Sequence, residues 1–337
     1  MNQLKSLFLF FLSFNVLAQN SPVDHLNKLS TDYDQINKDT WDYVRQASRG
    51  KSANKLEKRR TELASTLKTA KYNVSKVPVY QGDNSLKKAY INYLSLTYNM
   101  INNDYKKIVD MEKVAEDSYD AMEAYLLTKE RTNKRMDSAS MALSAAQDAY
   151  VKKYNITVRE DKSRISRKLN NAGPVIEYYN KIYLIFYKSS FYEGEMINAI
   201  SSNNVGDIEQ FRQTLEIVSK EGTEDLAKIG SFRDDNMLKD VCFKMLEFYY
   251  GEAVKYMPKQ VEFYAKKDRF ETLSKNINSK KQNQLTQKEV DDYNNAVEEY
   301  NAAINDFNET NDYLNKYRSK RFKDFNEAIE SFYRKFM

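Results

Sequence analysis

Glycine, proline, cysteine and histidine are all scarce in this sequence, and each shortage excludes something. At average usage 337 residues would hold about 24 Gly and 17 Pro; this chain has 8 Gly and 4 Pro. Sheets with tight turns, Gly-rich phosphate loops and flexible linkers all draw on those residues, so all-β, Rossmann-type and linker-rich folds are disfavoured. A single Cys removes any disulfide framework, and one His with one Cys removes zinc sites and the paired Glu-x-x-His motifs of di-iron bundles. No Gly-x-Gly-x-x-Gly, Walker A, Gly-x-Ser-x-Gly or calcium-loop pattern occurs. No catalytic residue, metal or cofactor is therefore assigned from the sequence. Cys242 reads as a small buried hydrophobe. His25, close to the expected mature N-terminus, reads as an ordinary surface or first-turn residue.

What is present is a helical pattern. The composition is 41% hydrophobic and 30% charged, enough apolar material for a core and too much for global disorder. Leu26, Leu29, Tyr33, Ile36, Tyr43 and Ala47 step by three and four apart from one gap at Thr40, as do Leu86, Tyr90, Tyr93, Thr97 and Met100. Near the C-terminus Val290, Tyr293, Val297, Tyr300, Ile304, Phe307 and Leu314 hold a and d positions over more than three heptads. Thr286 with Glu289 forms a capping box at the start of that run, which predicts one helix to about Arg334, near 70 Å long at 1.5 Å per residue.

The chain also repeats itself at an offset of 152. Between Lys76–Tyr98 and Lys228–Tyr250, Lys76, Asp83, Asn84, Leu86, Lys87, Leu94 and Tyr98 recur identically. Tyr150 and Tyr154 find Tyr313 and Tyr317 at an offset of 163, which implies about eleven extra residues in the second copy. The breakers divide each copy into about four helices: Gly50 after the first, and Val77 to Gly82 as an extended turn with Asp83 or Asn84 as N-cap, matched by Gly230 to Asp234 before Asp235 and Asn236. Pro258 and the polar stretch Asn276 to Gln284 interrupt the second copy.

The expected fold is all-α, a tandem duplication of two antiparallel four-helix-bundle-like domains with long final helices. The expected order is a signal peptide at 1–18, bundle repeat 1 at 19–160, a basic linker at 161–173 and bundle repeat 2 at 174–337. The aromatic run Tyr178, Tyr179, Tyr183, Phe186, Tyr187, Phe191 and Tyr192 covers more than one helix face, as a helix packed on several sides would.

Lys5, the apolar run Leu7 to Leu17 and Val16-Leu17-Ala18 have the layout of a secretory signal, with cleavage expected between Ala18 and Gln19. The apolar run is too short to span a bilayer and no later segment is long and apolar enough, so no transmembrane helix is expected in the mature chain. The destination is then the periplasm, the cell surface or the exterior. Residues 19–172 carry 28 basic and 20 acidic residues, and 173–337 carry 24 and 28. Neither imbalance is large enough to point to nucleic acid. Lys162, Arg164, Arg167 and Lys168 form a short basic run that could hold an anionic glycan or lipid headgroup, or be simply a solvated linker.

Certain residues add a resemblance. Leu17-Ala18-Gln19 looks like the end of a Gram-negative export signal. Pro22-Val23 with Asn27-Lys28, Glu57 to Arg60 with Leu63, Pro78 to Asp83 with Leu86-Lys87, and Asp104-Tyr105 resemble a family of uncharacterised bacterial surface proteins. The resemblance implies export and an all-helical fold and brings no catalytic residues.

Three functions fit. The first is a non-enzymatic exported protein that binds another protein or an envelope glycan through a helical face. The second is a glycan-active enzyme built on paired carboxylates and Tyr. The third is a peripheral binder of anionic lipid or glycan. Export makes the first prediction: N-terminal sequencing of native mature protein should read from Gln19, and an intact Met1 chain in the cytosol would disprove it.

Overall fold

The computed structural model describes residues 21–48, 53–157 and 163–337. The signal peptide, its cleavage point at Ala18 and Gln19, Gly50 and Lys162 lie outside them. The described residues are helical throughout, with no β-strand, as composition and periodicity require. The helices are α1 (Pro22–Leu29), α2 (Tyr33–Ala47), α3 (Ala53–Lys76), α4 (Ser85–Asn99), α5 (Tyr105–Glu112), α6 (Tyr119–Lys153), α7 (Arg164–Ser201), α8 (Val205–Lys228), α9 (Met237–Gly251), α10 (Met257–Asn278) and α11 (Gln287–Phe336). A five-residue π-turn, Met100–Asp104, joins α4 to α5, and another, Glu252–Tyr256, joins α9 to α10. The chain forms two compact units, one running to Asn180 and including Tyr333–Met337, the other Lys181–Phe332.

The 152-residue offset recurs in the element boundaries from α3 to the π-turns. α3 and α8, α4 and α9, and the two π-turns have matching boundaries at that spacing. The turn before α4 pairs Tyr80 with Asp83, with positive φ at Gln81 (48°) and Gly82 (76°). The turn before α9 pairs Phe232 with Asp235, with positive φ at Arg233 (52°) and Asp234 (63°). Two positive φ angles in succession give a type I′ turn, costly for Gln and Arg, whose Cβ atoms disfavour that region.

The recurring residues hold these turns. Asp83 Oδ1 accepts from the Ser85 backbone N–H at 2.9 Å and Asp235 Oδ1 from that of Met237 at 2.7 Å. The aspartates, not Asn84 and Asn236, thus satisfy the free N–H groups of the helix starts. Lys87 Nζ donates to Val77 O at 2.6 Å, and Lys239 Nζ to Ile229 O at 2.7 Å.

An arginine braces each π-turn, buried at Arg60 and half-buried at Arg212. Arg60 is 5% exposed, clamps Glu57 at 2.6 and 2.8 Å, and donates from Nη1 to Ile101 O at 3.0 Å and Asn102 O at 3.2 Å. Arg212 clamps Glu209 at 2.7 and 2.8 Å and donates to Ala253 O at 3.2 Å. A π-turn tilts carbonyls out of the i→i+4 ladder, and the guanidinium supplies the donors they lack. Pro258 is not what creates the second π-turn, since Lys106 stands at the corresponding place after the first.

Several expectations need correction. Residues 164–173 are not a linker. From Arg164 they belong to α7, with Ser163 Oγ accepting from the Ser166 N–H at 3.1 Å at its start. Leu169, Ala172 and Val175 are buried at helical spacing, and α7 continues past Pro174. The 163-residue match of Tyr150 and Tyr154 to Tyr313 and Tyr317 does not carry into the fold. Tyr154 packs on the turn residue Tyr80, with centroids 5.2 Å apart, whereas Tyr313 stacks on Tyr256 in the π-turn at 4.8 Å. In the second unit Phe332 closes on the turn residue Phe232, at 5.3 Å. The π-turns lie 152 residues apart but the ends of α6 and α11 lie 183 apart, so 31 residues are gained between them.

Those residues lengthen one hairpin. α5 has 8 residues and its counterpart α10 has 22; α6 has 35 and α11 has 50. The capping box at Thr286 and Glu289 forms as expected, with Glu289 accepting from the Thr286 N–H at 2.9 Å.

Leu94 and Leu246 are both buried, whereas Tyr250 is 39% exposed, so its recurrence with Tyr98 is not a core requirement. Gly222 packs where a Cβ would stand 3.2 Å from Ile185 and Leu246 side-chain carbons; Ala70 holds the corresponding place in the first unit. Leu94→Ala or Leu246→Ala should each lower stability by about 2–5 kcal/mol in urea unfolding. Tyr250→Ala should change it by only about 0.5 kcal/mol, as surface substitutions do. The opposite order would show that the core has been misread.

Candidate functional site

Of the basic run, Arg164 and Arg167 are exposed on α7, while Lys168 Nζ lies over the Trp41 ring, 4.7 Å from its centroid. A lysine engaged with an aromatic face is a packing contact. Arg164 and Arg167 lie on a solvated face of α7.

His25 is the reverse of the surface residue expected. It is 6% exposed, its Nδ1 is 3.0 Å from Tyr150 Oη, its Nε2 is 3.0 Å from Pro78 O, and its ring stacks on Tyr80 at 5.7 Å. The capping box of Ser21 and Asp24 fixes α1 where fraying was expected. Burial lowers the His25 pKa and raises that of Tyr150, so both groups are neutral near pH 7. The ring is enclosed, and its role is to tie α1 to the turn. A cavity of about 20 Å³ in the same unit, lined by Leu29, Tyr33, Val74, Tyr93 and Leu94, has room for one water.

The sequence reading missed a buried carboxyl pair in the second unit. Glu193 on α7 is 3% exposed and Glu252, first residue of its π-turn, 1%. Arg318 on α11 reaches both: Nε donates to Glu193 Oε1, and Nη2 donates to Glu252 Oε1 at 2.6 Å. Two carboxylates cannot be neutralised by one guanidinium. Burial, reinforced by the neighbouring Glu193, pushes the Glu252 pKa up to about 8, so Glu252 holds a proton at neutral pH. Glu252 Oε2 and the Tyr249 hydroxyl lie in the same interior without a conventional partner among the described residues. One signal was available: Glu252 falls on the apolar face of its helix, and Met100 stands at the corresponding place. Paired carboxyls beside a Tyr are what a glycan-active enzyme would need, but these are covered by Arg318 and the bundle.

The α10–α11 hairpin of the second unit carries a long apolar seam that is covered only in part. Its seam is a ladder of rings: Phe263 stacks on Phe307 at 4.0 Å, and Phe270 on Tyr300 at 5.2 Å with planes 8° apart. Phe270 also meets Tyr293 at 6.0 Å, and Arg269 pairs with Glu299 at 2.7 Å. Farther along, the heptad positions expected to be core are only half covered. Val290, Tyr293, Val297, Tyr300, Ile304 and Phe307 are all intermediate in exposure, and of the α11 residues before Leu314 only Ala296 is buried. Two helices cannot enclose a seam on both edges. The heptads were legible, but not that they would be only half covered.

No family model, no curated protein and no solved structure matches the chain.

The carboxyl pair makes the pH dependence of stability a test. A folded-state pKa raised from 4.5 to about 8 means that the folded chain keeps a proton the unfolded chain has lost. Stability from this group is therefore full below pH 4.5 and declines as the pH rises toward 8. Glu252→Gln or Glu252→Met should flatten the fall in Tm between pH 5 and 8; an unchanged slope would show that Glu252 is not the group.

Proposed function

We propose that the chain is an exported, non-enzymatic helical binding protein of the bacterial cell envelope or surface, and that the α10–α11 hairpin engages its partner. The observation that carries this reading is the half-covered seam from Val290 to Phe307, on a hairpin extended by 31 residues beyond its first-unit counterpart. Apolar surface left partly open in this way marks interaction sites. An amphipathic helix laid along the open edge would complete the bundle, using anchors spaced by three and four.

A protein partner is favoured over a glycan by the rings themselves. Sugar stacking needs a free aromatic face, and Phe270 and Tyr300 have turned theirs to each other. The enzymatic alternative loses support because the carboxyl pair is enclosed, and the anionic-lipid alternative because Lys168 is engaged with Trp41.

The test is capture from envelope extract by the mature protein, compared with Val297→Asp and Ile304→Asp. Wild type should retain a defined species that both variants lose, with unchanged helical circular dichroism. Capture indifferent to these substitutions, or no capture, would refute the hairpin reading.

A further inference from the structure

The solvent face of α11 carries a pattern that the seam does not explain. Asp306, Glu309, Tyr313, Lys316 and Lys320 follow one another at spacings of three, four, three and four, which places them on one stripe of the helix. All five are exposed, and the stripe runs on the side away from Phe307 and Leu314. Its charges are sorted by sign: both acids precede Tyr313 and both lysines follow it. Among the described residues none of the four charged groups makes a hydrogen bond or ion pair. Lys266, which feels the charge of Asp306, pairs with Glu262 at 2.8 Å instead. Neighbouring acids on the same half, Glu298 and Asp312, are likewise exposed and without an ion pair.

Such a stripe is complementary to itself when reversed. If two α11 helices lie antiparallel with their Tyr313 residues at the crossing, Asp306 of each faces Lys320 of the other, and Glu309 faces the turn that carries Lys316. The operation is a two-fold axis, the symmetry of most homodimers, and it returns the same contact twice. Tyr313 supplies the apolar centre. It is 36% exposed although it stacks on Tyr256 at 4.8 Å and meets Tyr317 at a tilt, 4.3 Å away. A rigid, partly supported tyrosine at the middle of a patch with charges at its rim has the make-up of an interface anchor. A parallel pairing would set acid against acid and lysine against lysine.

We infer that the solvent face of α11 binds a second copy of this chain, antiparallel, through Tyr313 at the two-fold axis and the Asp306–Lys320 and Glu309–Lys316 pairs across it. The surface lies on the opposite side of α11 from the seam, so this dimer neither requires nor excludes the partner proposed there. Exposed ion pairs add little energy each and are screened by salt, which makes the dimer weak and favoured at low ionic strength.

The experiment is sedimentation equilibrium of the mature protein and two charge-swapped variants. Wild type should dimerise, with a dissociation constant that rises with salt. Asp306→Lys with Glu309→Lys makes the stripe wholly basic, and Lys316→Glu with Lys320→Glu makes it wholly acidic. Each variant alone should bind itself about tenfold more weakly or worse, a change of about 1.4 kcal/mol. Mixed one to one, they should recover a heterodimer at least as tight as wild type, which no local misfolding could produce. Tyr313→Ala should weaken wild-type association without altering its salt dependence. A wild-type monomer at the highest soluble concentration, a dimer unmoved by the swaps, or variants that fail to pair when mixed would each overturn the inference.

Discussion

A guanidinium inside a helical bundle has to find acceptors, and in this protein it finds them where a helix is wound too loosely. Arg60 and Arg212 each use one edge for a glutamate three residues earlier and the other for carbonyls of a π-turn. The dependence is mutual. Without the arginine, the carbonyls at Ile101 and Ala253 would lose their donor in the interior, at a cost of about 1–3 kcal/mol each. Without the π-turn, Arg60 would be a buried charge with only half its donors used. The helix that follows each π-turn, α5 or α10, starts from this joint, so the hairpin that α10 builds is anchored there.

The fold class was readable because the evidence for it is local. Periods of three and four, the Thr286–Glu289 box, and the turns held by Asp83 and Asp235 act within a few residues. Even the identical Lys87 and Lys239 are explained by a reach of ten residues back to a carbonyl. What was not readable depends on residues far apart in the chain. His25 is held by Tyr150 and Pro78, and its neighbours in sequence give no hint of either. Residues 161–173 looked like a linker because charge dominates their composition. The apolar positions Leu169, Ala172 and Val175 decide the matter, and they show their face only when the helix is continued through Pro174. The tyrosine match at 163 misled for a similar reason: two rings four apart recur easily in a chain with 26 Tyr.

The carboxyl pair and the hairpin share one property: each is a departure from what the first unit does at the corresponding place. Met100 fills by dispersion the position that Glu252 fills with a protonated acid, and burying that acid beside Glu193 and Arg318 is the more expensive solution. The fold does not need it, because the matching π-turn forms without it. Such a group links folding to protons in a pH range where ordinary glutamates do not titrate. The repeat thus works as an internal control, in which positions that agree report on stability and positions that differ report on something else.

The hairpin extends that logic to energetics. Fixing one residue costs roughly 1–2 kcal/mol of backbone entropy, and this is recovered mainly by burying apolar surface. The helical core recovers it from all sides, as Leu246, Met245 and Cys242, each fully buried, illustrate. The added arms recover less of it, because Val290, Val297 and Ile304 are only half covered. Ring stacking and the Arg269–Glu299 pair offset part of the difference. The remaining open edge leaves the arms the least supported helical segment of their unit. A third helix laid on that edge would bury the seam without moving a residue of the bundle, and the gain would be largest where the intramolecular packing is poorest.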